Sequence, residues 1–269
     1  MRLLENIVVI TGATGLLGRQ HAFAVLEEGG KAVLLDIDQQ AIDGFSLELS
    51  KLYSDSFLAF KCDITNEIEL LEVLSIVQSK FGTPNGVINN AAINPSVEKN
   101  SKRFSRIEDI TKSAWDLEFQ VGLWGAFLCS RVFGSAMIKA EISGSIVNIS
   151  SDHGLIAPNQ NLYKVDGLLD SDQPVKPVTY SVIKHGLIGL TKYLSTYWAE
   201  NRIRVNTLCP GGVLNGQNQD FLNKFNSIVP MGRPALPTEY RGALKFMLSE
   251  ESSYMTGSTV VIDGGRSVW

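Results

Sequence analysis

Two side chains four residues apart, Tyr180 and Lys184, are the part of this sequence best suited to proton transfer. On a helix, residues at this spacing share one face and can interact. A free tyrosine has a pKa near ~10 and is a poor base at neutral pH, but a neighbouring ammonium group favours its phenolate form. Such a pair also occurs on ordinary helix surfaces, so its interpretation as a general acid or base depends on the rest of the chain.

A glycine-rich stretch near the N-terminus supplies that context. Residues 7–18 read IVVITGATGLLG, which is a run of β-branched residues followed by glycines at positions 12, 15 and 18. The β-branched run is typical of a buried parallel strand, and residues 16–28 carry apolar positions at helical spacing. A strand, a glycine turn and a helix in this order predict a pyrophosphate-binding turn, because glycines allow close backbone approach and the helix N-terminus offers free N–H groups.

A second predicted strand, residues 31–35, ends in an acidic residue, Asp36. An acidic side chain about 20 residues beyond the glycines can accept hydrogen bonds from the ribose hydroxyls of an adenosine. Its charge would repel a 2′-phosphate, and no Arg or Lys stands among residues 12–18 or at position 37. The sequence therefore predicts a dinucleotide site that favours NAD over NADP.

The elements that must position these residues alternate between strands and helices along the whole chain. This alternation predicts an α/β fold, a doubly wound (Rossmann) parallel sheet of about seven strands with helices on both faces. We predict one domain over residues 1–269. The predicted strands are 7–10, 31–35, 57–61, 86–89, 145–149, 203–208 and 259–262. The predicted helices are 16–28, 38–50, 67–81, 113–139, 178–199 and 238–248.

Composition narrows the class of protein and of partner. The formal net charge is −4 and no basic block is present, which argues against nucleic acid as a partner. No run of apolar residues approaches the ~20 that cross a bilayer, and no signal peptide is evident. Cys62, Cys129 and Cys209 are far apart and do not have metal-ligand spacing, so we expect buried thiols of a reducing compartment and no metal. We expect a cytoplasmic protein.

Taken in order, the motifs resemble those of the short-chain dehydrogenase/reductase family, in its compact single-domain branch. The resemblance covers essentially the whole chain and rests on TGATGLLG, Asp36, Asn89-Asn90-Ala91-Ala92, Asn148-Ile149-Ser150-Ser151, Tyr180-x-x-x-Lys184, Pro210-Gly211 and Asp263-Gly264-Gly265. This ordered set is much more specific than any one motif.

The resemblance implies a role for each matching residue. Tyr180 would be the general acid/base, Lys184 would lower its pKa and hold the nicotinamide ribose, and Ser151 would position the reacting carbonyl or hydroxyl. Asp63, at the carboxyl end of a predicted strand, could cap the next helix, accept a hydrogen bond from the adenine amino group, or do both. Val213 would meet the carboxamide through its backbone. The implied cofactor positions are Gly12, Thr14, Gly15, Leu17, Gly18, Asp36, Asp63, Ile64, Asn90, Ala91, Ala92, Tyr180, Lys184, Pro210, Gly211 and Val213.

Three features of the core motifs depart from the family pattern. The glycine spacing of residues 12–18 is similar to that of the longer branch, which includes nucleotide-sugar epimerases and dehydratases. Ala92 stands where glycine is usual, which is a mild change. Gly122 occupies the place of an asparagine that completes a proton relay and stabilises a helix bulge in the family, so we expect the Gly122 carbonyl to take over any such role.

The separation between Ser151 and Tyr180 is much longer than is typical of the family. The extra residues, 158–177, form an insertion that is either an inert surface loop or a part of the substrate pocket or a subunit contact. A second segment, residues 212–230, is predicted to be a mobile substrate flap that contains the amide-rich run 215–219. Both segments are rich in hydrogen-bonding side chains, which favours a polar substrate. The predicted substrate contacts are His153, Asn94 and Asn215.

These observations predict an NAD-dependent oxidoreductase that interconverts a secondary alcohol and a ketone on a polar, sugar-like small molecule. Residues 176–197 and the tail from Tyr254 look similar to bacterial oxidoreductases associated with flagellin glycosylation, which would make the substrate an amino sugar or a sugar phosphate. The tail also resembles segments that contact a neighbouring subunit, so we expect a homotetramer or homodimer. Two alternatives stay open: an epimerase or lyase that retains its NAD, and a non-catalytic NAD-binding scaffold.

Overall fold

A seven-stranded sheet forms the centre of the molecule. The computed structural model describes residues 1–93 and 106–268, and within them the strand order is β3-β2-β1-β4-β5-β6-β7 with every neighbouring pair parallel. The predicted doubly wound sheet is confirmed. The strands are β1 Ile7–Thr11, β2 Lys31–Asp36, β3 Phe57–Lys61, β4 Gly86–Asn89, β5 Gly144–Ile149, β6 Ile203–Pro210 and β7 Thr259–Ile262.

Helices cover both faces of the sheet, and the core is correspondingly divided in two. On one face, the buried side chains of helices α3, α5 and α6 pack against strand residues such as Val9 and Val87. On the other face, helices α1, α2 and α8 pack against residues such as Val8 and Ile88. Successive strand residues point to opposite faces, and both faces are covered, which explains why most strand residues are apolar. The helices are α1 Leu16–Leu26, α2 Gln39–Tyr53, α3 Glu67–Lys80, α4 Lys112–Phe119, α5 Gly125–Lys139, α6 Val178–Tyr197, α7 Gln219–Asn226 and α8 Arg241–Leu248.

The turn between β1 and α1 depends on two glycines for different reasons. Gly12 has a φ of +60°, a left-handed conformation that glycine adopts without steric cost. Gly18 lies in the first turns of α1, and a Cβ atom there would stand 2.1 Å from the Gly12 carbonyl oxygen and 2.8 Å from Ala13 Cα. The helix therefore packs onto the turn as closely as a glycine permits.

We expect Gly18→Ala to destabilise the protein, because neither of the backbone atoms that its methyl group meets can move aside cheaply. Overpacking of this kind typically costs about 1–3 kcal/mol. The free energy of unfolding from denaturant titration measures the effect. Gly15→Ala is the matched control, since a Cβ at position 15 meets only the Gly12 oxygen, at 3.4 Å. Equal losses of stability in the two variants would contradict this account of the turn.

A histidine inside α1 has an unusual environment. His21 is completely buried, and among the described residues neither of its ring nitrogens finds a hydrogen-bond partner. Burial lowers the pKa of His21 to about 3, because the charged imidazolium would lose its hydration. The unfolded chain therefore takes up a proton at this residue near its ordinary pKa, whereas the folded protein takes it up only at much lower pH.

We expect the free energy of unfolding of His21→Leu to depend less on pH, below about pH 6.5, than that of the wild type. In the wild type, the contribution of the neutral His21 is fully present above pH ~6.5 and is lost as the pH falls toward ~3. Between pH 8 and pH 5, the free energy of unfolding of the wild type should fall by about 2 kcal/mol more than that of the variant. Unfolding titrations at the two pH values check this. An unchanged pH dependence in the variant would show that His21 is not held neutral.

The predicted helix 113–139 is interrupted rather than regular. Helices α4 and α5 are joined by a π-helical turn, Gln120–Trp124, so that the whole helix runs over Lys112–Lys139. By length and composition alone this helix, whose most apolar 18-residue window has a mean hydropathy of 1.4, could cross a membrane. However, 61% of that apolar window is buried inside the protein, and packing in the core accounts for its apolar character.

Candidate active site

A large cleft lies at the carboxyl ends of the strands, where the strand order reverses. Strand β1 has β2 on one side and β4 on the other, and in such sheets the crevice between the two halves is the usual ligand site. The cleft has a volume of about 910 Å³, which is within the range of small-molecule and cofactor sites. The predicted glycine turn lies at one end and Tyr180 at the other.

The dinucleotide end of the cleft is organised by Asp36. Its Oδ2 atom accepts hydrogen bonds from the Thr14 backbone N–H at 3.0 Å and from the Thr14 hydroxyl at 2.6 Å. Its Oδ1 atom accepts from the Ile37 N–H at 2.8 Å. The carboxylate therefore ties the end of β2 to the glycine turn, and it faces the cleft where a ribose would lie.

The residues that follow β4 pack against the same turn. The Asn90 side-chain amide donates to the Thr11 and Gly12 carbonyl oxygens, both at 3.0 Å. The Thr11 hydroxyl accepts from the backbone N–H groups of Asn90 and Ala91, each at 3.0 Å. A Cβ at Gly12 would be 2.9 Å from Ala91 Cα, so the two segments touch without room for a side chain.

Most of the residues singled out from the sequence line this one cleft. Of the predicted cofactor positions only Gly18 does not, because it lies behind the turn and contacts Gly12 and Ala13. Ser151, His153 and Asn215 also line the cleft, whereas Asn94 falls outside the described residues. The predicted residues that line the cleft are Gly12, Thr14, Gly15, Leu17, Asp36, Asp63, Ile64, Asn90, Ala91, Ala92, Ser151, His153, Tyr180, Lys184, Pro210, Gly211, Val213 and Asn215.

Asp63 does not cap the following helix. The N-cap of α3 is Asn66, whose side chain accepts from the Ile68 N–H. Asp63 instead accepts from the Thr65 backbone N–H at 2.9 Å and from the Thr65 hydroxyl at 2.8 Å, which shapes the turn before the helix. Of the two expectations for Asp63, the capping role is therefore wrong, and its position at the cleft suits the other.

At the other end of the cleft, Tyr180 and Lys184 lie on one face of α6 and Ser151 follows β5. Ser151 lies close enough to Tyr180 to favour its phenolate form, which lowers the pKa of Tyr180 against the larger effect of burial. The Lys184 Nζ atom lies 5.6 Å from the centre of the Tyr180 ring and donates to the Ile149 carbonyl oxygen at 2.8 Å. The helix and the strand end thus bring three polar side chains to one wall of the cleft.

Burial dominates the acid–base properties of this wall. It raises the pKa of Tyr180 to about 12 and lowers the pKa of Lys184 to about 8, because each charged form loses hydration. The expectation that Lys184 lowers the pKa of Tyr180 is therefore not met in the protein chain by itself. The 5.6 Å between the ammonium group and the ring leaves desolvation as the larger effect.

Two further side chains pack around Tyr180. The His153 ring meets the Tyr180 ring edge-on, with 6.1 Å between ring centres, and burial lowers the pKa of His153 to about 4. The Lys176 Nζ atom lies over the tyrosine ring, 3.8 Å from its centre, and burial lowers the pKa of Lys176 to about 8. Tyr180 is therefore flanked by two lysines and a neutral imidazole.

Comparison with known proteins assigns the family. The family model described as short chain dehydrogenase matches residues 6–164, which is more than half of the chain. The chain belongs to the short-chain dehydrogenase/reductase family. A second model, described as Enoyl-(Acyl carrier protein) reductase, matches residues 173–267. Members of the short-chain dehydrogenase/reductase family are oxidoreductases that bind a nicotinamide cofactor.

Relatives and solved structures match over the full length. An NADH-dependent L-xylulose reductase of Ambrosiozyma monospora is 30% identical, over 98% of this chain and 96% of the relative. The post-translational flagellin modification protein A of Campylobacter coli is 29% identical, over 98% and 99%. A short chain dehydrogenase from Leptospira borgpetersenii, solved with bound NAD⁺, is 28% identical with a TM-score of 0.85, over 99% of this chain and 94% of that one.

The structure explains why this short-chain dehydrogenase/reductase has a glycine at position 122. Gly122 lies in the π-helical turn and is buried against α6, where a Cβ atom would stand 2.7 Å from the Ile183 side chain. Ile183 lies between Tyr180 and Lys184 on that helix. An asparagine at position 122 would have to displace Ile183, yet the helix bulge forms without it.

The insertion 158–177 packs onto the flap rather than extending into solvent. Leu162 and Tyr163 from the insertion contact Phe221 and Phe225 from α7, a helix that the sequence analysis did not predict. The Lys224 Nζ atom adds a bond to the Lys164 carbonyl oxygen at 2.8 Å. Insertion and flap together form one wall of the substrate end of the cleft.

The polar side chains of the insertion mostly fold the insertion itself. The Gln173 side chain bonds to the backbone of Val165 and Leu168, and Gln160 bonds to the backbone of Lys176. Only Leu162, Tyr163 and Lys176 of this segment line the cleft. Its hydrogen-bonding composition therefore gives weaker support for a polar substrate than the sequence suggested.

Sequence reasoning missed two charged residues of the site. Asp152 and Arg266 are both buried at the cleft and form an ion pair. Asp152 directly follows Ser151, and this adjacency was the only available signal. Arg266 follows the Asp263-Gly264-Gly265 motif, but nothing in the sequence indicates that the tail folds back to Asp152.

Proposed function

We propose that this short-chain dehydrogenase/reductase uses NAD to interconvert a secondary alcohol and a ketone on a polar, sugar-like substrate. The observation that carries the proposal is the continuity of the cleft. The Asp36 carboxylate and the glycine turn lie at one end, and the Tyr180, Ser151 and Lys184 side chains lie at the other. A dinucleotide bound along the strand ends would bring its reactive ring to Tyr180.

Each residue of the wall has a separate task in the proposed reaction. NAD, when bound, supplies the acceptor for the hydride that leaves the carbinol carbon. In that direction Tyr180 Oη takes the hydroxyl proton, and in the reverse direction it returns the proton to the carbonyl oxygen. Ser151 Oγ contacts the reacting oxygen and fixes its position. Lys184 would hold the nicotinamide ribose, and its ammonium group together with the cationic nicotinamide ring would favour the phenolate of Tyr180.

Asp36 supports NAD rather than NADP. Its carboxylate would accept hydrogen bonds from ribose hydroxyls and repel a 2′-phosphate. The neighbouring residue at the cleft, Ile37, carries no charge, and the glycine turn has no Arg or Lys. The NADH-dependent relative and the NAD⁺-bound structure agree with this assignment.

The substrate end of the cleft supports a polar substrate of modest size. Ser151, His153, Asn215 and Gln217 offer hydrogen-bonding groups there, opposite the aromatic wall of the insertion and flap. A buried polyol needs a partner for each hydroxyl group, and these side chains can supply them. The similarity to an L-xylulose reductase supports a sugar alcohol or ketose.

A panel of alcohols with NAD and with NADP tests the proposal. Tetritols, pentitols, hexitols, amino sugars and sugar phosphates are compared with steroid and fatty alcohols, and reduced cofactor is followed by absorbance. We expect a polyol or sugar to give NADH. The kcat/KM with NAD should be at least about 100-fold higher than with NADP, a ratio that corresponds to about 3 kcal/mol, because Asp36 would bind the ribose hydroxyls of NAD and repel the 2′-phosphate of NADP. Turnover restricted to apolar alcohols would contradict the proposed substrate class.

A surface-glycan substrate is the second candidate. The similarity to flagellin modification protein A favours this candidate, because the name of that relative states a role in flagellin modification. The amino sugars and sugar phosphates of the panel test it directly. Activity with them and none with free polyols would place this candidate first.

The proposed enzyme is a cytoplasmic homotetramer or homodimer. Tyr254 at the start of the tail is fully exposed in the single chain, which suits a residue that contacts another subunit. Light scattering of the purified protein measures the oligomeric state. A monomer at micromolar concentration would contradict this part of the proposal.

A further inference from the structure

A lysine of the insertion, Lys176, has no role in the function proposed so far. It lies two residues before α6, and its half-buried side chain lines the cleft. The Nζ atom stands 3.8 Å from the centre of the Tyr180 ring. Because Tyr180 carries the proton to and from the reacting oxygen, a charge at this place meets the groups that the substrate carries near its reacting carbon.

We propose that Lys176 is a specificity-determining residue that binds a carboxylate group of the substrate, so that the enzyme acts on a sugar acid. The inference rests on the proposed function for the place of the substrate beside Tyr180. It adds the charge of that substrate, which the function proposed above leaves open.

The charged side chains of the cleft are divided between its two ends. Those at the dinucleotide end are acidic, namely Asp36, Asp38 and Asp63. Among the residues that the structure describes, those at the substrate end are mostly basic, namely Asp152, Lys176, Lys184 and Arg266. A substrate with a negative charge would therefore be attracted to the end where the proposed reaction takes place and repelled from the other.

The other two basic residues of the substrate end have tasks of their own. Arg266 pairs with Asp152, with 2.5 Å between Nη1 and Oδ2, and the two side chains are only 4% and 2% exposed. Lys184 donates to the Ile149 carbonyl oxygen and holds the nicotinamide ribose in the proposed reaction. Lys176 is the basic residue that these tasks leave to act on the substrate. Its single charge matches a carboxylate better than a phosphate group, which carries a charge of about −1.5 to −2.

Lys176 is charged at neutral pH. Burial lowers the pKa of Lys176 to about 8, and the carboxylates of Asp152 and Glu118 act against burial by favouring the ammonium form. Most Lys176 side chains are therefore protonated at pH 7. Both carboxylates are shared with other donors, since Asp152 pairs with Arg266 and Glu118 accepts from the Thr179 hydroxyl. A substrate carboxylate beside the ammonium group would offset part of its lost hydration.

The insertion fixes the backbone of Lys176. The Gln160 side chain accepts from the Lys176 N–H at 2.8 Å and donates to the Lys176 carbonyl oxygen at 3.3 Å. Helix α6, which begins at Val178, then continues directly to Tyr180. A charged group whose backbone is already held in place loses less freedom when it binds a ligand, which favours selective binding.

The uncharged polar side chains of the substrate end suit the rest of a sugar acid. Asn215, Gln217 and the Tyr163 phenol line the cleft and can bond to hydroxyl groups. His153 is neutral, because burial lowers its pKa to about 4. The ammonium group of an amino sugar, in contrast, would be repelled by Lys176.

Matched compounds that differ in one group test the proposal. Tetronic, pentonic and hexonic acids are each compared with the corresponding alditol and with the corresponding amide, which keeps the shape of the carboxyl group without its charge. Binding to the complex of the enzyme with NADH is measured by calorimetry at pH 7, and kcat/KM is measured for each compound that turns over. We expect at least one acid to bind about 10–100-fold more tightly than its amide, as is typical of a hydrogen bond between charged groups.

Lys176→Met tests the residue itself, because it removes the charge and keeps an unbranched side chain. We expect the acid to bind this variant no more tightly than the amide. Lys164→Met is the matched control, since Lys164 belongs to the same insertion but is exposed and does not line the cleft. This control should keep the wild-type ratio of acid to amide affinity. A purely structural role of Lys176 would lower both affinities by the same factor and leave the ratio unchanged.

The outcomes separate this inference from the proposed function. If alditols give NADH but no acid binds better than its amide, the dehydrogenase stands and the carboxylate site is overturned. If nothing turns over but an acid binds preferentially through Lys176, the carboxylate site stands without the dehydrogenase. An acid preference that persists in Lys176→Met, or tight binding of sugar phosphates without any preference for a carboxylate, would also overturn the inference. The comparison of acid with amide uses the wild type, and Lys176→Gln replaces Lys176→Met if that variant does not fold.

Discussion

Replacement of Tyr180 with phenylalanine is expected to lower kcat at least about 100-fold while NAD binding and the fold are retained. The substitution removes only the phenol oxygen, which in the proposed reaction is the group that takes and returns the substrate proton. Loss of a positioned general acid or base typically lowers kcat about 10²–10⁴-fold. The ring itself continues to pack against His153 and Lys176. Steady-state kinetics on the best alcohol of the panel, with NAD binding by calorimetry, measure the two effects.

Tyr163 provides the matched control. It lines the same cleft, and burial raises its pKa to about 12 as it does that of Tyr180, but it belongs to the insertion. We expect Tyr163→Phe to keep at least about a tenth of the wild-type kcat, because no proton transfer passes through it in the proposed reaction. Comparable losses in the two variants, or an active Tyr180→Phe, would remove Tyr180 from the proton-transfer role.

Replacement of Asp36 with asparagine is expected to shift cofactor preference from NAD towards NADP. The amide keeps an oxygen for the Thr14 hydrogen bonds but no longer repels a 2′-phosphate. Hydrogen bonds to charged groups contribute about 1.5–3 kcal/mol, so NAD affinity should fall roughly 10–100-fold. NADP affinity should rise, and the ratio of kcat/KM values for the two cofactors reports both changes.

Asp38 serves as the control for this substitution. It stands two residues further on and also lines the cleft, but its side chain caps α2 by accepting from the Ala41 N–H at 3.0 Å. Asparagine is an equally good N-cap, so Asp38→Asn should preserve both stability and cofactor preference. If Asp36→Asn binds NAD as tightly as the wild type, the ribose site lies elsewhere.

The parts of the molecule that follow from local patterns were predictable from the sequence. The apolar runs that end in glycine, Asp36 or Ser151 indicated the strands, because a parallel sheet covered on both faces is built mostly from apolar residues. The spacing of Tyr180 and Lys184 on a helix likewise put both side chains on one face. These features depend on neighbours along the chain, which the sequence shows directly.

Contacts between distant segments were not predictable in the same way. Asp152 meets Arg266 only after the tail has folded back across the strand ends, and no periodicity signals that meeting. Helix α7 follows an amide-rich run that is typical of a loop, yet Phe221 and Phe225 bury one side of it against the insertion. The raised pKa of Tyr180 in the protein chain by itself was not predictable either, since it follows from burial, and the degree of burial is a tertiary property.

In the proposed function, the enzyme transfers a hydride to NAD and releases NADH in every turnover. The most direct test of this is the stoichiometry of the reaction. NADH and ketone are quantified in the same mixture over many turnovers of the best alcohol, with excess NAD. The proposed function predicts one NADH released per ketone formed, continuing far beyond one equivalent per active site. An isomerised or dehydrated product without NADH would instead indicate a retained-cofactor epimerase or lyase, and tight NAD binding without product would indicate a scaffold. Either result would contradict the proposed dehydrogenase.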